Sequence, residues 1–228
     1  MTQIVARSPS KLIDSLFQRG LSEPIIRDHL TITEGTVTDL DAVRRTIQPG
    51  VSDSPMVDII VSGLGGKMLF SNPLRPTLDN PTICQDGVRT ILDAARQFSD
   101  SNQKPTLIVL STTGISDAYR DVPFAMMPMY YWMLRVPHED KRAMETLILN
   151  GMVTPVEGRE IDQYTIVRRS TFTEGTGDGL TKIKAGVEDK SAVGYFIARK
   201  DVGKWVFEML VNPGLTSEYL GKVVSIAT

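Results

Sequence analysis

The sequence predicts one α/β domain built on a parallel sheet with helices on both faces. Three observations predict it. Residues 57–61 (VDIIV) and 106–110 (TLIVL) are short, mostly apolar and rich in β-branched side chains, as strands buried on both faces are. Residues 81–98 carry Val88, Ile91, Leu92, Ala95 and Phe98 on one helical face. Strand-like and helix-like runs alternate from end to end, with no repeat, no low-complexity linker and no domain boundary across residues 1–228.

Taken in order, residues 3–6 (QIVA) read as a strand cut off by the turn Arg7-Ser8-Pro9-Ser10. Ser8 or Ser10 caps a short helix holding Leu12, Ile13 and Leu16, and Gly20 stops it. Residues 30–33 form the next strand, and Thr38-Asp39 opens a helix over 40–47 that Pro49-Gly50 ends. The strand 57–61 runs into Ser62-Gly63-Leu64-Gly65-Gly66, and the strand 106–110 into Ser111-Thr112-Thr113-Gly114. A helix is expected over 139–150, a strand over 164–168, and a short strand near 181–185 after the glycine-rich turn 174–179. A helix over 201–211 sets Val202, Trp205, Val206 and Met209 at helical spacing, and 223–226 is the last strand. The irregular stretches 69–80 and 112–137 lie at strand ends, where open α/β sheets bind ligands.

Composition narrows the function classes. With 41% hydrophobic and 23% charged residues and a net charge of -2, the chain reads as globular and without a basic footprint for nucleic acid. The single cysteine, Cys84, rules out an intramolecular disulfide, fits a reducing, cytoplasmic setting, and reads as an inert core residue. No basic, apolar leader opens the sequence, and the apolar stretch 122–136 is broken by Pro123, Pro128 and Arg135, so no membrane segment is expected. His29 and His138 are the only histidines, too few with one cysteine to suggest a metal centre. There is no G-x-x-x-x-G-K-[ST] loop and no G-x-S-x-G elbow. The G-x-G-x-x-G fingerprint also fails. After Gly63 and Gly65 the third position is Met68, and after Gly175 and Gly177 it is Leu180.

Four segments nevertheless stand in a telling order: 5–12 (VARSPSKL), 57–63 (VDIIVSG), 109–114 (VLSTTG) and 164–168 (YTIVR), with 138–145 (HEDKRAME) before the last. Together with 198–203 (ARKDVG), they resemble the NAD(P)H-binding, NmrA-like branch of the atypical short-chain dehydrogenases. The resemblance implies a Rossmann-like, doubly wound parallel sheet. By that resemblance residue 1 falls just before the family's second strand. The expectation is therefore an N-terminally truncated sheet without its first strand, glycine-rich phosphate loop and first helix, about 30 residues by the size of a βαβ unit. Strands 3–6 and 57–61 would then pair directly, or a partner chain would fill the gap.

The same resemblance implies site residues. Arg7 stands where the family contacts a 2′-phosphate, and Ser8 and Lys11 assist. Thr36 and Val37 flank the adenine, with Thr36 in place of the family's aspartate. Ser62, Gly63 and Leu64 line the ribose and pyrophosphate side. The family's Tyr-x-x-x-Lys pair is incomplete: Lys141 fits the lysine, but Pro137 occupies the tyrosine position, and Tyr130 and Tyr131 stand too far back. Ser111 and Thr112 are the strand-end hydroxyls that orient a carbonyl, and His138 is the candidate proton donor. The structural alternative makes Lys141 a helix-surface partner of Glu145. Met126, Met129, Tyr130, Tyr131 and Trp132 supply an adaptable apolar substrate pocket. Arg169, where the family usually has a proline, contacts ligand, partner or solvent.

The expected function is an NADP(H)-dependent oxidoreductase acting on a small, secondary-metabolite-type apolar molecule, in a chain that could self-associate. If loss of the phosphate loop abolishes cofactor binding, the alternatives are a cofactor-independent isomerase, cyclase or ligand-binding protein. A further alternative is a dinucleotide-sensing regulator.

Overall fold

The structure is a computed structural model, and it describes residues 1–50, 56–72, 75–98, 103–187, 190–213 and 217–228. The chain opens with β1 (Thr2–Ala6), α1 (Pro9–Gln18), α2 (Glu23–His29), β2 (Leu30–Glu34) and α3 (Leu40–Ile47). Then come β3 (Ile59–Ser62), the small hairpin β4 (Met68–Leu69) and β5 (Thr77–Leu78), α4 (Ile83–Arg96) and β6 (Thr106–Thr112). A 3-10 turn (Phe124–Met126) leads into α5 (Met127–Met133), α6 (Arg135–Val153) and β7 (Tyr164–Arg169). The chain closes with β8 (Thr171–Thr173), β9 (Lys184–Val187), β10 (Phe196–Ala198), α7 (Arg199–Val206) with a π-helical turn (Phe207–Val211), and β11 (Lys222–Ala227). Residues 73 and 74 of the stretch 69–80 lie outside the described residues.

The main sheet has the order β3-β6-β7-β11-β9, parallel except for β9, which runs antiparallel at the edge. Strand alternation divides its side chains between two cores. Leu107, Val109 and Ile166 face α3, α4 and α6 among Val43, Ile47, Val88, Ile91, Met144 and Ile148. Ile108, Val167, Val224 and Ile226 face α7 among Val202, Trp205, Val206 and Leu210. Leu107, Val109, Ile166, Val167 and Val224 are wholly inaccessible, which accounts for the unbroken apolar runs. The doubly wound expectation holds.

β1 and β2 pair in parallel as a separate two-stranded unit. β1 and β3 are not paired, so direct closure between them is not the solution the chain adopts. A cleft of about 730 Å³ lies between them.

Several boundaries differ from the sequence expectation for identifiable reasons. α6 starts four residues before the expected Glu139, because Pro137 sits in its first turn, where a missing N–H leaves no bond unmade. α2, unexpected from the sequence, buries only Ile26 and so shows no apolar stripe. The strand expected near 181–185 splits into a 3-10 turn (Leu180–Lys182) and β9. Among the described residues, no helix is long and apolar enough to cross a membrane.

Candidate functional site

The parallel strands end at one rim, where three groups of side chains collect. The first group tethers the framework. Lys141 on α6 is 6% exposed, and its ammonium donates to the carbonyls of Leu64 at 2.8 Å and Leu110 at 2.6 Å. Burial lowers its pKa from the ordinary lysine value. It is not a surface partner of Glu145. That carboxylate is itself buried and takes a charge-assisted bond from Arg168 Nη2 at 2.6 Å, with Arg168 Nε at 3.1 Å. Ser111 Oγ donates to the same carboxylate at 2.5 Å. Asp140, one residue before Lys141, accepts from the backbone N–H groups of Cys84 and Gln85 at 3.0 and 2.9 Å, so α6 caps the amino end of α4. Burial pushes the Cys84 thiol up to about 11, so it stays protonated and unreactive at neutral pH.

The second group surrounds a pocket of about 350 Å³ formed by Gly114 and residues 116–122 together with Tyr130, Tyr131, His138 and Arg142. Tyr130 is 4% exposed, and its hydroxyl lies 3.1 Å from Thr171 Oγ1 and 3.4 Å from Thr113 Oγ1. Its ring tilts against His138 at 5.4 Å between centroids. Gly114, at φ +85, lets the chain turn directly over both rings, where a Cβ would collide with Tyr130. His138 Nε2 is buried without a hydrogen-bond partner among the described residues. Burial, with the charges of Arg142 and Arg169 behind it, lowers its pKa to about 4, so its ring is neutral at pH 7. Asp121, absent from the sequence-derived site, is 3% exposed and accepts from Gly114 N–H at 2.8 Å; burial raises its carboxyl pKa.

The His138 value sets a pH dependence with a definite sign. Between pH 6.5 and about 4 the unfolded chain binds a proton that the folded chain refuses. This contribution is present in full above pH 6.5 and is lost as the pH falls through that window. Replacing His138 with phenylalanine is expected to flatten the change in urea midpoint between pH 7 and pH 4.5. An unchanged slope would remove His138 from the acid sensitivity.

The third group lines the large cleft. Val37, Ser62, Gly63 and Leu64 stand on its wall. Gly87 of α4 lets Leu64 pack beside Val37, since a Cβ there would strike the Leu64 side chain and stand in contact with Val37. Ser62 is 6% exposed and its Oγ finds no partner among the described residues. Arg7, Ser8 and Lys11 sit where α1 begins, outside that wall, and Arg7 is close enough to Asp79 to help lower its carboxyl pKa. α1 opens with Pro9 and its N-cap Ser8 makes no side-chain cap, so no side chain among the described residues caps its first turn, the end of a helix that favours an anion. Thr36 Oγ1 engages Thr38 Oγ1 at 3.0 Å.

Not every residue singled out in the sequence reaches a cavity. Tyr130, Tyr131 and His138 line the smaller pocket, whereas Met126, Met129, Trp132, Ser111, Thr112 and Lys141 do not. Arg169 lies within β7, its guanidinium 3.8 Å over the Phe172 ring, and burial lowers its pKa to about 10.

A family model described as NAD(P)H-binding matches residues 18–213. The chain is 56% identical over 227 residues to "Reductase pytE" of Aspergillus terreus, covering 97% of this chain and 86% of that one. It is 32% identical over 241 residues to "Oxidase pynE" of Aspergillus niger, covering 92% and 84%. Among solved structures, a short-chain dehydrogenase/reductase of Veillonella parvula in complex with NADP superposes at a TM-score of 0.64 with 14% identity, over 99% of this chain and 82% of that one. ChuY, described as an anaerobillin reductase, of Escherichia coli O157:H7 superposes at a TM-score of 0.55 with 16% identity, over 98% of this chain and 82% of that one. The fold is thus the Rossmann-type one of those short-chain dehydrogenase/reductase structures, and by sequence the chain belongs to the NAD(P)H-binding family.

Proposed function

We propose that the chain is an NADP(H)-dependent oxidoreductase acting on a small, largely apolar molecule in the pocket beside Tyr130. The 56% identity to a reductase carries the reading most directly. A second curated relative is an oxidase, which fits a site that handles redox chemistry in either direction.

The residues present suit a dinucleotide. The Val37–Leu64 pair over Gly87 gives a flat apolar wall for a base, and the unpartnered Ser62 Oγ offers a hydrogen bond to a ribose or phosphate oxygen. Arg7, Lys11 and the uncapped start of α1 favour phosphate by charge and by helix polarity. NADP(H), when bound, supplies or accepts the hydride. On the protein side, Tyr130 is the better proton donor. His138 at a pKa of about 4 carries no proton to spare at pH 7, but its neutral ring holds the Tyr130 ring in place. Lys141 acts as a positioning residue by fixing the carbonyls of Leu64 and Leu110.

Calorimetric titration with NADPH and NADH tests the cofactor assignment. Arg7→Ala is expected to weaken NADPH by about 10-fold or more, the loss of one charge-assisted hydrogen bond, and to leave NADH unchanged. Equal weakening of both would place Arg7 away from the 2′-phosphate. No heat from either at millimolar concentration would overturn the assignment in favour of a cofactor-independent role.

A further inference from the structure

Arg169 carries a positive charge that the fold leaves unanswered. It ends β7, and only part of the residue reaches solvent. Among the described residues its guanidinium makes one hydrogen bond, from Nη1 to the Ser170 carbonyl at 3.2 Å, and Nε is buried with no partner. Among the described residues no carboxylate pairs with it. Those around the rim are engaged elsewhere: Glu145 by Arg168 and Ser111, Asp121 by the Gly114 N–H, Glu174 by Arg199. The Phe172 ring takes Arg169 at 3.8 Å and Arg199 at 4.2 Å from its centroid, so two guanidiniums share one ring. Arg199 works against the charge on Arg169, and a ring quadrupole is a weak substitute for an anion. A cation held in this way is costly until an opposite charge arrives.

The charge lies at the hydroxyl end of Tyr130. The Arg169 carbonyl accepts from Thr113 N–H at 3.1 Å, and the Tyr130 hydroxyl stands on Thr113 and Thr171. Lys141 and His138 both feel the Arg169 charge, so the surroundings are electropositive. We propose that Arg169, backed by Arg199, is an anion subsite for the substrate, which is therefore an organic acid: an apolar body bearing one carboxylate or equally acidic oxygen. The inference rests on the reading of the Tyr130 surroundings as the substrate site, and it narrows that reading from apolar molecules to acids. Nε and Nη2 lie on one edge of the guanidinium, the edge that a carboxylate meets with two oxygens. An acid docked there places its body beside the Tyr130 hydroxyl and supplies the charge that the fold withholds.

The test reads binding rather than turnover. Calorimetry of the whole chain with cinnamate is expected to show saturable binding with a Kd on the order of 1 mM, as suits an acid of that size. Neutral cinnamamide, close to it in shape, should bind at least tenfold more weakly. Arg169→Met should weaken cinnamate at least tenfold and leave cinnamamide and NADPH as in the parent. It should melt no lower than the parent, because an unpaired buried charge is removed. Equal binding of acid and amide would overturn the subsite. So would an Arg169→Met chain that melts well below the parent, which would make Arg169 a packing residue. Inorganic pyrophosphate tests the other source of anion: if Arg169→Met weakens pyrophosphate and NADPH instead of cinnamate, the anion is the cofactor's and the substrate assignment falls. The result is separable from that for Tyr130. Arg169-dependent cinnamate binding supports the subsite even where Tyr130→Phe keeps full turnover, which would sink only the proton-donor reading.

Discussion

Glu145→Ala is expected to lower the melting temperature by about 10 °C. The carboxylate is 4% exposed and serves two partners, Arg168 and Ser111, at 2.6 and 2.5 Å. Its removal leaves a guanidinium that burial already disfavours without its counter-charge. Breaking one side of a buried pair costs roughly 3–5 kcal/mol, and a chain of this length loses roughly 2–4 °C per kcal/mol. Calorimetry on the variant checks this. The double variant Glu145→Leu with Arg168→Leu should recover much of the loss, because an apolar pair of similar volume avoids the desolvation of both charges. A single variant melting within 2 °C of the parent would show that the pair contributes little.

Tyr130→Phe is expected to reduce turnover by about 100-fold or more while leaving KM and melting nearly unchanged. The phenyl ring keeps the contacts to His138 and Gly114, and only the hydroxyl facing Thr171 and Thr113 is lost. That is one hydrogen bond, worth about 1 kcal/mol of stability. The assay is NADPH consumption with a carbonyl compound that the parent chain reduces. A variant within threefold of the parent would remove Tyr130 as proton donor. A matching loss from His138→Phe together with a shifted pH profile would move the role to the imidazole.

The sheet was legible because its strands are buried on both faces, and residues 106–110 can be nothing else at that length and composition. The wall of the larger cleft was half legible: Val37, Ser62, Gly63 and Leu64 stand at or just past strand ends, where ligands collect in such folds. The Tyr130–His138 contact was not. Tyr130 lies eight positions before His138, across the break between α5 and α6, and no fixed spacing announces a contact made by two helices meeting at an angle. Glu145 misled for a related reason. At four positions from Lys141 it resembles a surface pair, and only the placement of Arg168 on β7 turns it inward. Asp140 as a cap for a helix more than fifty residues away leaves no local trace at all.

The two carbonyls held by Lys141 belong to neighbouring chain ends, one past β3 and one within β6. A single ammonium thus rivets these ends into one jaw, which a visiting molecule cannot prise apart without stripping a desolvated cation of its ligands. Accommodation of differently shaped guests then falls to the segment around the smaller pocket, where Tyr119 and Tyr131 stand outward. Relatives that share this clamp and differ around the smaller pocket would keep the framework and change the shape of that pocket.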